Sequence, residues 1–129
     1  MPDVKTILVV DDNKDLREMV SLVLKMQNYA VVAASNELEL LAQLKQQTPD
    51  IILLDIYLDQ EDGREIAKRL KENESTALIP IILYSAGNIT ARSITESLAD
   101  CFLPKPFDLP QLFSTIKQCL PSQRGAAGP

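Results

Sequence analysis

Residues 50–63 read DIILLDIYLDQEDG, and this segment sets an acidic side chain at the end of an apolar run. The run comprises Ile51 to Leu54, and Asp55 follows it directly. A short, uninterrupted aliphatic run is typical of a strand buried on both faces of a parallel sheet. Burying a carboxylate there costs free energy unless another group compensates it, so Asp55 is the first candidate functional residue.

The rest of the chain alternates similar runs with segments of helical periodicity. Apolar residues spaced three and four apart predict amphipathic helices between the runs. This alternation favours an α/β fold, here a three-layer α/β/α sandwich around a five-stranded parallel sheet. The predicted strands are TILVVDD (6–12), YAVVAAS (29–35), DIILLD (50–55), IPIILYSA (79–86) and CFLPKPF (101–107).

Individual residues predict where two of the helices begin. Asn36 and Glu39 have the spacing of a capping box at the start of the second helix. Asp108 is placed to cap the last helix, with Pro110 tolerated in its first turn. The helical spacing of the second helix is carried by Leu38, Leu41 and Leu44.

The composition indicates one soluble domain and excludes several functions. The chain has 129 residues, of which 46% are hydrophobic and 24% charged, and its net charge of −5 disfavours direct nucleic-acid binding. We assign residues 1–121 to the domain and residues 122–129 to a flexible tail. No apolar stretch is long enough to span a membrane, and no signal-peptide pattern is present, so we expect a cytoplasmic protein.

Histidine is absent, and the two cysteines, Cys101 and Cys119, follow no metal-binding or disulfide spacing. A zinc site and a histidine general base are therefore not expected. Any phosphohistidine chemistry must belong to a partner.

Polar side chains follow four of the five predicted strands. Asp11 and Asp12 follow the first strand, Asp55 the third, Ser85 the fourth and Lys105 the fifth. The carboxyl ends of parallel strands meet at one edge of the sheet, where open α/β sheets bind ligands. Three carboxylates without histidine or cysteine suit a hard cation, Mg²⁺ or else Mn²⁺. With the added hydroxyl and ammonium, the edge can bind a phosphoryl group, and Asp55 is the natural nucleophile.

Each of these residues also has a simpler explanation. Asp11 or Asp12 could cap the first helix, and Asp55 could start a turn. Ser85 could cap the following helix, and Lys105 could be an ordinary surface lysine. Each explanation is plausible alone, but all of them holding at the same sheet edge is much less so.

Four motifs then give a family resemblance. VVDDN (9–13), LLDIYLDQEDG (53–63), ILYSA (82–86) and FLPKPF (102–107) occur in order and at family-like spacing. From Lys5 to Leu120 the chain resembles a response-regulator receiver domain of two-component signalling, of the stand-alone, CheY-like kind. The resemblance implies a flavodoxin-like sheet in the order 2-1-3-4-5.

The resemblance also implies roles for the residues at the sheet edge. Asp55 would be the phosphoacceptor. Asp12 would bind Mg²⁺ directly, Asp11 largely through water, and the backbone carbonyl of Tyr57 would be a further ligand. The backbones of Tyr57 and Ala86 would contact the phosphoryl group.

Phosphorylation in this family shifts a two-state equilibrium. Ser85 and Lys105 would bind the phosphoryl oxygens, and the peptide bond between Lys105 and Pro106 would be cis. Phe102 is either a core residue or the family's switch aromatic, which rotates inward and alters the face formed by the fourth helix, fifth strand and fifth helix. A histidine kinase or phosphotransfer protein would be the donor, the downstream target is open, and the chain would be a monomer or a weak dimer through that face.

The chain departs from the family pattern beside the predicted site. The loop after Asp55 usually carries a proline at the position of Asp59, so we expect a differently shaped loop. Leu98 stands where the family often has glycine, so the turn before the fifth strand is also expected to differ. Tyr57 is bulky enough to shield the phosphorylated site, whereas Gly87 leaves room on the opposite side.

Three functions fit these residues. The first is a phosphoacceptor signalling module, with at most Mg²⁺-dependent self-phosphorylation and self-dephosphorylation and no other enzymatic activity. The second is a phosphatase of the haloacid-dehalogenase type, which lacks its expected acid here because Tyr57 stands at that position and Asp59 is the next candidate. The third is a phosphorylation-independent scaffold with the receiver fold.

Overall fold

Five helices alternate with the five predicted strands, and a short hairpin of two further strands follows the third of them. The structure, a computed structural model, describes residues 4–87 and 89–120. The strands are β1 (Thr6–Val10), β2 (Ala30–Ala34), β3 (Ile51–Asp55), β4 (Tyr57–Leu58), β5 (Glu61–Asp62), β6 (Ile81–Ser85) and β7 (Cys101–Pro104). The helices are α1 (Lys14–Met26), α2 (Glu37–Gln46), α3 (Gly63–Glu72), α4 (Ala91–Ser97) and α5 (Leu109–Cys119). The predicted tail, 122–129, lies outside the described residues.

Five of the strands form one parallel sheet in the order β2-β1-β3-β6-β7. The strands β1, β2, β3, β6 and β7 are the five predicted from the sequence, so this order is the expected 2-1-3-4-5. The α/β/α sandwich is therefore confirmed. The central strand β3 pairs with β1 on one side and with β6 on the other.

The apolar residues of β3 serve both faces of the sheet. Ile52 and Leu54 belong to a core that also includes buried residues of α2 and α3. Ile51 and Leu53 belong to a second core shared with α1 and α5. All four side chains are fully buried, each contributing about 1.5–3 kcal/mol of hydrophobic stabilisation. The strand that carries Asp55 is thus held rigidly from both sides.

The start of α1 corrects one sequence-based alternative. Asn13, and neither Asp11 nor Asp12, is the N-cap, because its side chain accepts a hydrogen bond from the Leu16 amide at 3.1 Å. Asp11 instead accepts a hydrogen bond from the Asn13 amide at 2.9 Å. The two aspartates are therefore not needed to cap the helix.

The predicted cap of α2 is half correct, whereas that of α5 is confirmed. Asn36 accepts from the Glu39 amide at 2.8 Å, but the Glu39 carboxylate accepts from the amide and hydroxyl of Ser35. Asp108 forms a complete capping box with Gln111, and proline lies in the first turn. In α2 the fully buried leucine is Leu40, whereas Leu38 and Leu41 are exposed.

The segment after Asp55 forms a tight antiparallel hairpin that the sequence did not predict as strands. Tyr57 pairs with Asp62 and Leu58 with Glu61. Asp59 lies in the turn at a φ of 47°, a left-handed conformation that aspartate tolerates better than most residues. A proline, with its φ fixed near −65°, cannot adopt this conformation, so the loop does differ from one built on proline.

Two further backbone features fix the surroundings of the site. The Gly63 amide donates to the Ile56 carbonyl at 2.7 Å, and a Cβ on Gly63 would lie 2.1 Å from the carbonyl oxygen of Asp55. Only glycine fits there. Leu98, at the end of α4, has a φ of 66°, so a leucine occupies a left-handed position that favours glycine. Within the described ranges, no helix is both long and apolar enough to traverse a bilayer.

Candidate functional site

The sheet brings three carboxylates together at the carboxyl ends of β1 and β3. One carboxylate oxygen from each of Asp11, Asp12 and Asp55 lies within 4.8 Å of the others. Asp11 is fully buried and Asp55 is 5% exposed, whereas Asp12 is exposed. Like charges this close repel by a few kcal/mol at an intermediate dielectric, so the cluster favours a cation.

Asp55 is buried, and each of its carboxylate oxygens has a protein donor. The Tyr57 amide donates to its Oδ1 at 3.1 Å. Burial is the largest influence on its carboxyl group and raises the pKa from 3.8 to about 6, with Lys105 acting in the opposite direction and Asp11 adding to the increase. The ionised form of Asp55 is thus held at a free-energy cost that an added cation would relieve.

Lys105 provides the fixed positive charge of the site. Its Nζ lies 3.3 Å from Oδ2 of Asp55 and 3.9 Å from Oδ2 of Asp11. Its amide donates to the Ser85 carbonyl at 2.8 Å, which ties the residue to the end of β6. The peptide bond between Lys105 and Pro106 is cis. The predicted association of this lysine with the aspartates is thus present in the structure.

Ser85 ends β6 and is 1% exposed. Its hydroxyl donates to the carbonyl of Ala86 at 3.0 Å rather than to an aspartate. Gly87 lies two residues further on at a φ of 94°, and a Cβ placed on it would meet no heavy atom within 4 Å apart from its chain neighbours. Phe102 is half-buried and packs against the core on the α2 and α3 side of the sheet. The hydroxyl and the aromatic ring therefore lie on neighbouring paired strands, β6 and β7.

Tyr84 is a site residue that the sequence-based interpretation missed. It is fully buried, and its hydroxyl donates a hydrogen bond to Oδ2 of Asp11. Burial, followed by the neighbouring Asp11 carboxylate, raises the pKa of the phenol well above its ordinary value, so the hydroxyl keeps its proton. The available signal was a tyrosine in the otherwise aliphatic strand IPIILYSA, because a buried tyrosine hydroxyl normally finds a polar partner.

The donor set suits a divalent oxygen-seeking cation. The cluster offers carboxylate oxygens only, with neither the thiolates nor the imidazoles that a zinc site would use. Asp12 is exposed and can therefore reach a hydrated ion, whereas Asp11 already has protein donors on both carboxylate oxygens. The residues thus fit Mg²⁺, which keeps several of its waters in proteins.

Comparison with known proteins assigns this geometry to a family. A family model described as "Response regulator receiver domain" matches residues 7–117. The chain is 39% identical over 118 residues to the phosphate regulon transcriptional regulatory protein PhoB of Pseudomonas aeruginosa, covering 90% of this chain and 52% of that protein. It is 28% identical to the polar-differentiation response regulator DivK of Brucella anthropi, covering 90% of this chain and 96% of that one. The chain spans about half the length of the first three curated relatives that it matches.

Solved structures give the same result. A putative response regulator from Chloroflexus aurantiacus superposes with a TM-score of 0.86 at 33% identity, covering 92% of this chain and 99% of that one. The chemotaxis protein CheY4 of Vibrio cholerae superposes with a TM-score of 0.84 at 26% identity, covering 92% of this chain and all of the other, 100%. With its sheet order, its acidic cluster and its lysine at the end of β7, the chain belongs to the receiver-domain family of two-component response regulators.

Proposed function

We propose that this receiver domain accepts a phosphoryl group on Asp55 from a phosphohistidine of a histidine kinase or phosphotransfer protein. The observation that carries the proposal is the position of Asp55 at the end of a strand buried on both faces, with two carboxylates and an ammonium converging on it. An aspartate that only ended the strand would not need these neighbouring charged groups.

The transfer is a displacement at phosphorus. A carboxylate oxygen of Asp55 forms the new O–P bond as the N–P bond of the donor breaks, and the imidazole of the donor leaves with the electron pair and takes up a proton. Lys105, whose ammonium is already 3.3 Å from Asp55, stabilises the negative charge on the phosphoryl oxygens. The hydroxyl of Ser85 turns from the Ala86 carbonyl to donate to one of these oxygens, and the backbones of Tyr57 and Ala86 contact the group.

The cation site is proposed to hold Mg²⁺, with Mn²⁺ as a substitute. Asp12 and Asp55 would supply carboxylates directly, Asp11 would act largely through water, and the backbone carbonyl of Tyr57 would supply a further oxygen. A divalent cation held by these residues would neutralise the clustered charge and would stabilise negative charge on the phosphoryl oxygens. A cation at this site would also lower the pKa of the Asp55 carboxyl group and so favour its ionised, nucleophilic form.

The proposed response to phosphorylation is a shift between two conformations of the face formed by α4, β7 and α5. Ser85 at the end of β6 and Phe102 in β7 lie on paired strands, with Leu83 opposite Phe102 in the register. Movement of the serine hydroxyl toward the phosphoryl group would open space that the ring can enter. We propose that the downstream partner binds this face in one of its two conformations. The domain would be a monomer, or a weak dimer that associates through the same face.

Two other functions are less well supported. A haloacid-dehalogenase-type phosphatase would require an acid near the nucleophile, but Tyr57 is 55% exposed at that position and Asp59 lies in the hairpin turn. A phosphorylation-independent scaffold would leave the costly burial of Asp55 without a purpose. We also propose that the domain comprises residues 1–121 and that the protein is cytoplasmic.

The test is phosphorylation by acetyl phosphate, read by intact-protein mass spectrometry. We expect the wild-type chain to gain one phosphoryl group when MgCl₂ is present and none when EDTA replaces it. Asp55→Asn should gain none. The matched control is Asp59→Asn, which makes the same atom change at an exposed turn position where asparagine tolerates the left-handed backbone. This control should be labelled like the wild type.

Two results would contradict the proposal. One is labelling of Asp55→Asn to the wild-type extent. The other is the absence of labelling by acetyl phosphate and by several phosphohistidine donors. Sustained turnover of a generic phosphate ester, abolished in Asp59→Asn, would instead favour the phosphatase.

A further inference from the structure

Tyr84 contacts two charged members of the acidic site at once. Its hydroxyl donates to Oδ2 of Asp11, and the Lys105 ammonium lies 4.6 Å from the centre of its ring. Phe107 meets the same ring edge-on, with the ring centres 6.2 Å apart. The tyrosine is fully buried and held on several sides, so its hydroxyl is fixed in direction.

The hydrogen bonds to Asp11 replace water that cannot reach it. Asp11 is fully buried. Oδ1 accepts from the Asn13 amide at 2.9 Å, and Oδ2 accepts from Tyr84, with Lys105 3.9 Å away. A buried carboxylate depends on such donors for the stability of its ionised form. Removing the hydroxyl would leave Oδ2 with the distant ammonium as its only described partner.

The hydroxyl is not required to orient the carboxylate. Asp11 follows β1 directly, its amide donates to the Ala34 carbonyl at 3.1 Å, and its own carbonyl accepts from Arg17 at 2.7 Å. With the Asn13 amide on Oδ1, both the backbone and one carboxylate oxygen are already fixed. The main effect of the Tyr84 hydroxyl is therefore electrostatic.

We propose that the Tyr84 hydroxyl substitutes for the cation at Asp11 and thereby lowers the affinity of the site for Mg²⁺. The inference rests on the proposed function, in which this cluster binds a divalent cation. A donor on a carboxylate oxygen stabilises the metal-free site and reduces the negative potential that attracts a cation. By linkage, whatever stabilises the metal-free state relative to the metal-bound state weakens binding by the same factor.

The test compares Tyr84→Phe with the wild type by isothermal titration with MgCl₂. Phenylalanine keeps the ring beneath Lys105 and removes only the hydroxyl. We expect the dissociation constant for Mg²⁺ to be about three- to tenfold lower in the variant. In free energy this change is smaller than the contribution of a hydrogen bond to a charged group. In EDTA the same variant should unfold at a lower urea concentration than the wild type. A purely structural role would lower stability without tightening Mg²⁺ binding.

Tyr29→Phe is the matched control. Tyr29 is half-buried and directly precedes β2, at the opposite edge of the sheet from the site. This variant should bind Mg²⁺ like the wild type. A second comparison places Tyr84→Phe in an Asp11→Asn background, where the carboxylate is gone, and the effect on Mg²⁺ affinity should disappear there. The double variant has no buried Asp11 carboxylate that lacks the Tyr84 donor, so we expect it to stay folded. It therefore serves as the folded reference if Tyr84→Phe alone unfolds in EDTA.

The outcomes separate this inference from the proposed function. If the wild type binds Mg²⁺ and Tyr84→Phe binds it equally or more weakly, the role of Tyr84 is refuted and the cation site stands. If the effect of Tyr84→Phe persists without the Asp11 carboxylate, the inferred route through Asp11 is also refuted. If the wild type binds no Mg²⁺, both proposals fall.

Discussion

Replacing Asp55 with asparagine should stabilise the metal-free protein, although Asp55 is the central residue of the site. The carboxyl group has a pKa of about 6 in the folded chain and 3.8 as its ordinary value. Between these two values the folded state binds more protons than the unfolded state, so the free energy of unfolding falls as the pH rises through this window. The difference amounts to about 3 kcal/mol once the pH is well above 6.

Asparagine matches the shape of the protonated carboxyl and cannot ionise. Asp55→Asn should therefore unfold like the wild type below pH 3.8 and become more stable than it, by up to about 3 kcal/mol, above pH 6. The assay is urea denaturation in EDTA across this pH range. Asp15→Asn makes the same change at an exposed position in α1 and should gain no stability as the pH rises.

Two results would refute this reasoning. One is an Asp55→Asn variant that is less stable than the wild type above pH 6, which would mean that the Lys105 ion pair outweighs the burial of the carboxylate. The other is a stability difference that does not change with pH. Added MgCl₂ should narrow the difference, because it stabilises the wild type by about 2.7 kcal/mol at a hundred times the dissociation constant and the variant by less.

Three further predictions concern stability and are measured by urea denaturation. Gly63→Ala should cost about 3 kcal/mol or more, since the added Cβ would lie 2.1 Å from the carbonyl oxygen of Asp55; near-wild-type stability would contradict the tight hairpin geometry. Leu98→Gly should gain about 0.5–1 kcal/mol by relieving the left-handed backbone, and a loss would show that the leucine side chain matters more. Lys71→Met should cost about 2–3 kcal/mol, because the mostly buried ammonium lies 2.7 Å from Asp100, and an unchanged midpoint would contradict a stabilising role for that pair.

The parts of the structure that the sequence predicted are those set by local pattern and strand polarity. The run from Ile51 to Leu54 identifies a strand covered on both faces because all four side chains are aliphatic. Once the strands are parallel, chain direction alone brings Asp11, Asp55 and Lys105 to the same edge. The acidic cluster could therefore be predicted without knowing a single tertiary contact.

The missed features depend on contacts between distant residues or on weak turn signals. The hydroxyl of Tyr84 meets Asp11, 73 residues away along the chain, and nothing in the strand pattern names that partner. The hairpin turns at Asp59 and Gln60, a pair without the glycine that marks the commonest two-residue turns. The buried face of α2 could not be predicted from the sequence either, because leucines occupy both its buried and its exposed sides.

The central claim is that Asp55 carries the phosphoryl group, and chemical trapping tests it most directly. Borohydride reduces an aspartyl phosphate to homoserine, which proteolysis and mass spectrometry then locate in the chain. After treatment with acetyl phosphate and MgCl₂, the account predicts homoserine at position 55 and at no other aspartate. Homoserine at Asp11, Asp12 or Asp59, or at no position in a chain that has gained a phosphoryl group, would contradict it.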